Sequence, residues 1–256
     1  MAARKIVITS GKGGVGKTTV TAGLGYALAA AGFGVILVDA DVGLNNLDVA
    51  LGVEDRKLYD FSDILESRCR PGQALIRCGE RDLFVLSSGA ETPAMTAQAF
   101  RGVIESLATS CDFIFIDCPA GIENGFHRAV SAADEAVVVT NPAVSAIRDA
   151  DKVLSLLTGY TLSSVGIAIN RINGGKVLSG EMMSAADIAR LLRRPTLGII
   201  PEDAEILLGK TPAHNGRSEA DEAFGAFADN IASRRARPYD YLSAHRGFRG
   251  FFRRRA

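Results

Sequence analysis

Gly11-Lys12-Gly13-Gly14-Val15-Gly16-Lys17-Thr18 stands between a strand-like run, Lys5-Ile6-Val7-Ile8-Thr9, and a segment of helical periodicity from Thr18 to Ala31. The stretch satisfies G-x-x-x-x-G-K-[ST] with a strand before and a helix after, the context that gives the pattern its meaning. Its glycines let successive backbone N–H groups turn inward around an anion, and the positive end of the following helix adds a fixed favourable field. In a nucleotide complex Lys17 reaches the β- and γ-phosphates, Thr18 puts its hydroxyl on Mg²⁺, and Thr19 approaches the α-phosphate. Residues 11–19 are thus expected to bind a nucleotide through its phosphates.

Outward from the loop, short apolar runs recur at Lys5-Thr9, Val35-Asp39, Leu83-Leu86, Phe113-Asp117, Ala136-Thr140, Val165-Asn170 and Leu197-Ile200. Helical periodicity lies between most of them, at Thr96-Leu107, Ala143-Leu157 and Ala185-Leu192. Strands apolar on nearly every residue are buried on both faces, which predicts a mainly parallel sheet with helices on each side. The expected fold is α/β and doubly wound. Gly32 is placed to end the first helix, and Glu202 or Asp203 to begin one after Pro201.

The chain has 256 residues, 47% hydrophobic and 23% charged, which fits one large domain with an appendage and excludes wholesale disorder and a polytopic membrane protein. Cys69, Cys78, Cys111 and Cys118 form no Cys-x-x-Cys pair and have no histidines at zinc-ligand spacing. Reduced thiols, the absence of an export signal and the lack of an apolar run of about 18 residues predict a cytoplasmic protein. The formal charge of zero conceals an asymmetry. Of 29 basic and 29 acidic residues, eight arginines and only Asp240 lie from Arg234 onward, so residues 1–233 carry 21 against 28. An acidic body, residues 1–233, is expected to carry a basic tail, residues 234–256, whose partner is a polyanionic surface.

Three further segments reach the phosphate end of the sheet. Asp39-Ala40-Asp41 closes the second strand, and a carboxylate there can orient Mg²⁺ and the attacking water or merely cap a turn. Phe113-Ile-Phe-Ile-Asp117 delivers one carboxylate to a strand tip, where it can hold Mg²⁺ through water, and Cys118-Pro-Ala-Gly-Ile-Glu123 follows as a mobile switch. Asn170-Arg171 and Pro201-Glu202-Asp203 end later strands. An amide can pair with adenine and an arginine plane can stack on it, although each signal alone is weak. There is no N-K-x-D guanine reader.

Lys12 adds a second cation to a loop already served by Lys17. K-G-G-V-G-K-T with this extra lysine resembles the deviant Walker A motif of the MinD/ParA/nitrogenase-iron-protein group. The resemblance implies an ATP-dependent homodimer in which two subunits enclose two ATP molecules and Lys12 crosses the interface to couple dimerisation to hydrolysis. It assigns catalysis to Lys12, Lys17 and Asp41, metal binding to Thr18, Asp41 and Asp117, and the base site to Asn170, Arg171, Pro201, Glu202 and Asp203. The cofactors implied are ATP and Mg²⁺.

At the chain end, projection on a helix places Tyr241, Ala244, Phe248, Phe251 and Phe252 on one side and Arg246, Arg249, Arg253 and Arg254 mostly on the other. This is a basic amphipathic helix with aromatic anchors. Gly247 and Gly250 weaken it in water by roughly 1 kcal/mol each. A core helix and a nucleic-acid arm are the competing readings; an anionic membrane surface fits best, and no nucleic acid is expected. The residues assigned to it are Tyr241, Arg246, Phe248, Arg249, Phe251, Phe252 and Arg253.

The tail resembles the membrane-targeting sequence of the division-site branch of the group, as do Gly43-Leu-Asn-Asn-Leu-Asp48, Asn141-Pro-Ala-Val-Ser-Ala-Ile-Arg-Asp149 and Gly198-Ile-Ile-Pro-Glu-Asp203. That implies a septum-placement ATPase, reversibly peripheral on the cytoplasmic face of the cell membrane. Its partners by resemblance are a MinC-like division inhibitor and a MinE-like activator, with residues 145–152 as the docking region. A DNA-partition ATPase like ParA and a flagellar-placement relative are the alternatives. An iron-sulfur reductase is disfavoured because no cysteine follows Asp117 at a cluster-bridging spacing.

Overall fold

The computed structural model describes residues 2–43, 46–90, 92, 95–207 and 218–243. Eight strands, β1 Arg4–Thr9, β2 Val35–Asp39, β3 Ile76–Arg77, β4 Leu83–Leu86, β5 Phe113–Asp117, β6 Glu135–Thr140, β7 Ser164–Ile172 and β8 Thr196–Pro201, form one sheet in the order β3-β4-β2-β5-β1-β6-β7-β8. All neighbours are parallel except β3, which pairs antiparallel with β4. The helices are α1 Lys17–Ala30, α2 Asn46–Leu51, α3 Phe61–Leu65, α4 Ala97–Leu107, α5 Asn124–Ser131, α6 Val144–Leu157, α7 Gly174–Leu178, α8 Ala185–Leu192, α9 Ala204–Leu207 and α10 Glu219–Ser233.

The strands alternate between two apolar cores, as the period of a pleated strand requires. Val7, Ile36, Val38, Ile114 and Ile116 join the core beneath α4, α5, α6 and α8. Ile6, Ile8, Val35, Leu37, Phe113 and Phe115 join the other, beneath α1 and α10. Both faces are covered, which is why the strands are apolar almost throughout. Close helix seating depends on two glycines. A Cβ on Gly23 would lie 2.4 Å from the Phe224 ring, and one on Gly198 would lie 2.5 Å from Phe227. Gly32, at φ +91°, ends α1 as its position predicts.

The parallel arrangement brings the carboxyl ends of β1, β2, β5, β6, β7 and β8 to one edge, where ligands bind in such sheets. At the opposite edge Arg4 donates to both oxygens of Glu135 at 2.8 Å, and the guanidinium of Arg234 lies 3.4 Å from the same carboxylate. The amphipathic helix expected at the chain end lies outside the described residues.

Candidate functional site

Residues 11–16 wrap the tip of β1 into α1. Gly14 and Gly16 take φ of +77° and +96°, left-handed values that favour glycine. No side chain caps the amino terminus of α1, so its first N–H groups remain directed at the loop's concavity. Lys17 is 9% exposed. Thr18 Oγ1 donates to Asp117 Oδ2 at 2.7 Å, and Thr21 Oγ1 lies 3.2 Å from Asp117 Oδ1 and 3.0 Å from the Lys17 carbonyl. Thr21 is absent from the motif reading, yet it stands one turn beyond Thr18 on the same helix face.

Asp117 and Asp39 are register partners at the tips of β5 and β2. Burial pushes the Asp39 carboxyl up to about 7, assisted by the charge of Asp117 and opposed by two backbone N–H donors. These are Asp41 N at 2.9 Å and Leu47 N at 3.1 Å, so Asp39 clasps the start of the first acidic loop. Burial raises Asp117 to about 6 against the pull of Lys17, Thr18 and Thr21. Asp41, half-buried, is raised by burial and lowered by Lys17. Hydroxyl and carboxylate oxygens of this kind suit Mg²⁺, which keeps waters and phosphate oxygens as its other ligands. Among the described residues no group of three or more His, Cys, Asp or Glu forms a self-sufficient metal cage.

The Cys118 thiol is buried and pushed up to about 12, chiefly by that burial, which suits a packed thiol rather than a metal ligand. Gly121, in the segment that follows, has φ +92° and Ile122 is 47% exposed.

Lys12 is exposed, and its Nζ donates to Ser145 Oγ on α6 at 3.0 Å. The loop also abuts α6 at Gly11, where a Cβ would lie 2.2 Å from the Asp149 carbonyl oxygen. The amino-terminal half of α6 is therefore a wall of the phosphate site. Nothing in the sequence pattern signals this contact.

Thr19, Asn170, Arg171, Pro201, Asp203 and Ile206 line a cavity of about 80 Å³ beside the loop. Asn170 Nδ2 donates to the Val15 carbonyl at 2.9 Å and Oδ1 accepts from Arg171 N at 3.0 Å, so the amide braces the loop. Arg171 is held at φ 57°, a costly left-handed value for a residue with a side chain, at an irregularity of β7. Glu202 does not line this cavity; its Oε2 accepts from Asn173 Nδ2 at 3.1 Å, and the residue lines a neighbouring cavity. Tyr241 is 8% exposed and packed in the body, with its hydroxyl accepting from Ala185 N at 3.3 Å. Arg246, Phe248, Arg249, Phe251, Phe252 and Arg253 lie outside the described residues.

A lysine-bearing phosphate loop and a hydroxyl on a buried strand-tip carboxylate, at the edge of the sheet where parallel strands end, define a nucleotide-binding domain of the P-loop class. Residues 6–211 match the CobQ/CobB/MinD/ParA nucleotide binding domain, and the chain belongs to that family. It is 40% identical over 260 residues to the septum site-determining protein MinD of Synechocystis, covering 98% of each chain. Identity to MinD of Bacillus subtilis is 45% over 207 residues, 79% of this chain and 77% of the relative. The fold superposes on the MinC:MinD cell division protein complex of Aquifex aeolicus with TM-score 0.85 and 39% identity, over 93% of this chain and 98% of that one. The Pyrococcus horikoshii septum site-determining protein complexed with Mg-ADP gives TM-score 0.80 at 32% identity, over 90% and 96%. Within its family the chain therefore falls with the septum site-determining proteins, and its role is in division-site placement.

Proposed function

We propose that this chain is a Mg²⁺-dependent ATPase that dimerises around ATP and uses the dimer to hold two basic tails on the cytoplasmic face of the membrane. The observation that carries the reading is the Thr18–Asp117 hydrogen bond of 2.7 Å beneath a loop that bears both Lys12 and Lys17. Bound Mg²⁺ would offset phosphate charge, with Thr18 and Asp117 as its protein-side holders. Lys17 would meet the terminal phosphates, Asp41 would orient the attacking water, and Arg171, Pro201 and Asp203 would border the base. Lys12 would leave Ser145 for the partner subunit's nucleotide, where an added cation offsets developing charge.

One tail binds weakly, because ordering it offsets much of the gain from arginines contributing about 1 kcal/mol each near an anionic leaflet. Two tails on one dimer bind far more tightly through effective concentration. Among the described residues no helix is long and apolar enough to cross a membrane. The exposed part of α6, where Val144 is 68% exposed and Arg148 is also exposed, would receive a MinC-like inhibitor and a MinE-like activator. Hydrolysis would then release the protein. Fluorescence localisation of the intact chain beside one ending at Ser243 tests this, since Tyr239 and Tyr241 belong to the body. Loss of membrane signal with nucleotide binding retained supports the reading, and unchanged localisation removes the tail from it.

A further inference from the structure

The strand order puts β4 beside β2, and their parallel register pairs Leu86 with Val38. The two segments therefore leave the sheet side by side, residues 87–89 alongside Asp39, Ala40 and Asp41. Ser87-Ser88-Gly89 carries no carboxylate, no cation and no motif. Both serines are nonetheless buried, at 0% and 1% exposure. A buried hydroxyl needs a partner. The acceptors these two reach lie 39 and 47 residues away along the chain, both in the first acidic loop.

Ser88 Oγ donates to the Asp41 carbonyl at 3.2 Å, and the Gly89 carbonyl accepts from Gly43 N at 3.1 Å. Ser87 Oγ donates to Asp48 Oδ2 at 3.0 Å, farther along the same loop. From the other side Asp39 Oδ1 accepts from Asp41 N at 2.9 Å. Asp41 thus has its N–H held by one strand tip and its carbonyl by the next. Its backbone is fixed, and what can still turn is the half-buried carboxylate, whose charge Lys17 favours. The turn is itself held from behind. The Ser87 carbonyl accepts from Phe61 N at 2.9 Å, and at Gly89, φ +71°, a Cβ would lie 2.3 Å from Asp60 Oδ1. Only glycine lets the chain pass so close at a left-handed φ. Asp60 cannot yield, because it caps α3 and accepts from Ser62 N and Asp63 N.

We propose that Ser88 is a positioning residue for hydrolysis, acting through the Asp41 backbone to hold that carboxylate where it orients the attacking water, with Ser87 and Gly89 setting the turn from which Ser88 reaches. The proposal rests on the reading of Asp41 as the water-orienting group, and deepens it by naming what fixes that group. The bond runs to Asp41 and not to the phosphate loop, so its loss acts on the chemical step rather than on nucleotide binding. A reacting group misplaced by about 1 Å can slow catalysis about 100-fold.

The test is steady-state turnover of Mg-ATP by the full chain, read as kcat and KM. Ser88→Ala is expected to lower kcat about 10- to 100-fold with KM within about twofold of wild type. Ser62→Ala, whose hydroxyl serves Asp60 in the same cluster, controls for the mere loss of a hydrogen bond and should leave kcat unchanged. On an Asp41→Asn background Ser88→Ala should lower kcat little further, because residues that act as one unit are not additive. Three results overturn the proposal: a wild-type kcat in Ser88→Ala while Asp41→Asn is impaired, an equal loss in Ser62→Ala, or a full further loss on the Asp41→Asn background. Wild type without turnover, or Asp41→Asn as fast as wild type, sinks the underlying reading of Asp41 and the positioning with it.

Discussion

Replacing Asp39 with Asn should change how stability depends on pH, with a sign fixed by its surroundings. Its two oxygens each accept a backbone N–H, from Asp41 and Leu47. An amide keeps one acceptor and turns an NH₂ towards the other donor, costing about 1–3 kcal/mol at every pH. The amide also removes a buried charge. The folded carboxyl titrates at about 7, pushed there first by burial and then by Asp117. An unfolded Asp titrates near about 4. Between those values the folded chain keeps a proton that the unfolded chain has lost, so the stabilisation present below the unfolded pKa is lost as pH rises through the folded one. The slope is about 1.4 kcal/mol per pH unit, and the loss approaches about 4 kcal/mol by pH 7. Urea unfolding without nucleotide at pH 5, 6, 7 and 8 reads this directly. The stability of wild type minus that of D39N should fall by about 2–3 kcal/mol between pH 5 and pH 7. A difference that is constant or rises with pH would refute the reasoning.

Other outcomes follow from the same contacts. Thr21→Val removes a hydroxyl beside Asp117 Oδ1 without touching the nucleotide, and should weaken Mg²⁺ binding by about 10- to 100-fold in a titration with nucleotide present. Gly23→Ala puts a methyl 2.4 Å from the Phe224 ring and should cost about 1–3 kcal/mol in urea unfolding, with nucleotide affinity in the folded state unchanged. Tyr241→Phe loses the hydrogen bond from Ala185 N and should cost about 1 kcal/mol of stability, with vesicle binding retained in ATP.

The sheet is legible because a strand buried on both faces must be apolar almost throughout, as Phe113-Ile-Phe-Ile-Asp117 is. Strand β3 is not, since two residues, Ile76 and Arg77, carry no period. Helix α10 had a signal: Ala220, Ala223, Phe224, Phe227, Ala228 and Ile231 keep helical spacing, but alanine dilutes the contrast and Gly198 and Gly23 supply the missing depth from elsewhere. The phosphate loop is legible because its parts are contiguous. The Lys12–Ser145 and Asn170–Val15 contacts join residues 133 and 155 apart, and only the folded sheet brings them together. Helical projection places Tyr241 with the tail's aromatics because it ignores Ala185, whose backbone N–H claims the hydroxyl.

Co-sedimentation of the full chain with anionic vesicles, in Mg-ATP and in Mg-ADP and beside Lys12→Ala, tests most directly whether nucleotide state controls two tails as one anchor. The account predicts that ATP carries most of the wild-type protein down, while ADP and the K12A variant in either nucleotide leave it in solution. Equal sedimentation of the wild type in ATP and ADP would contradict it.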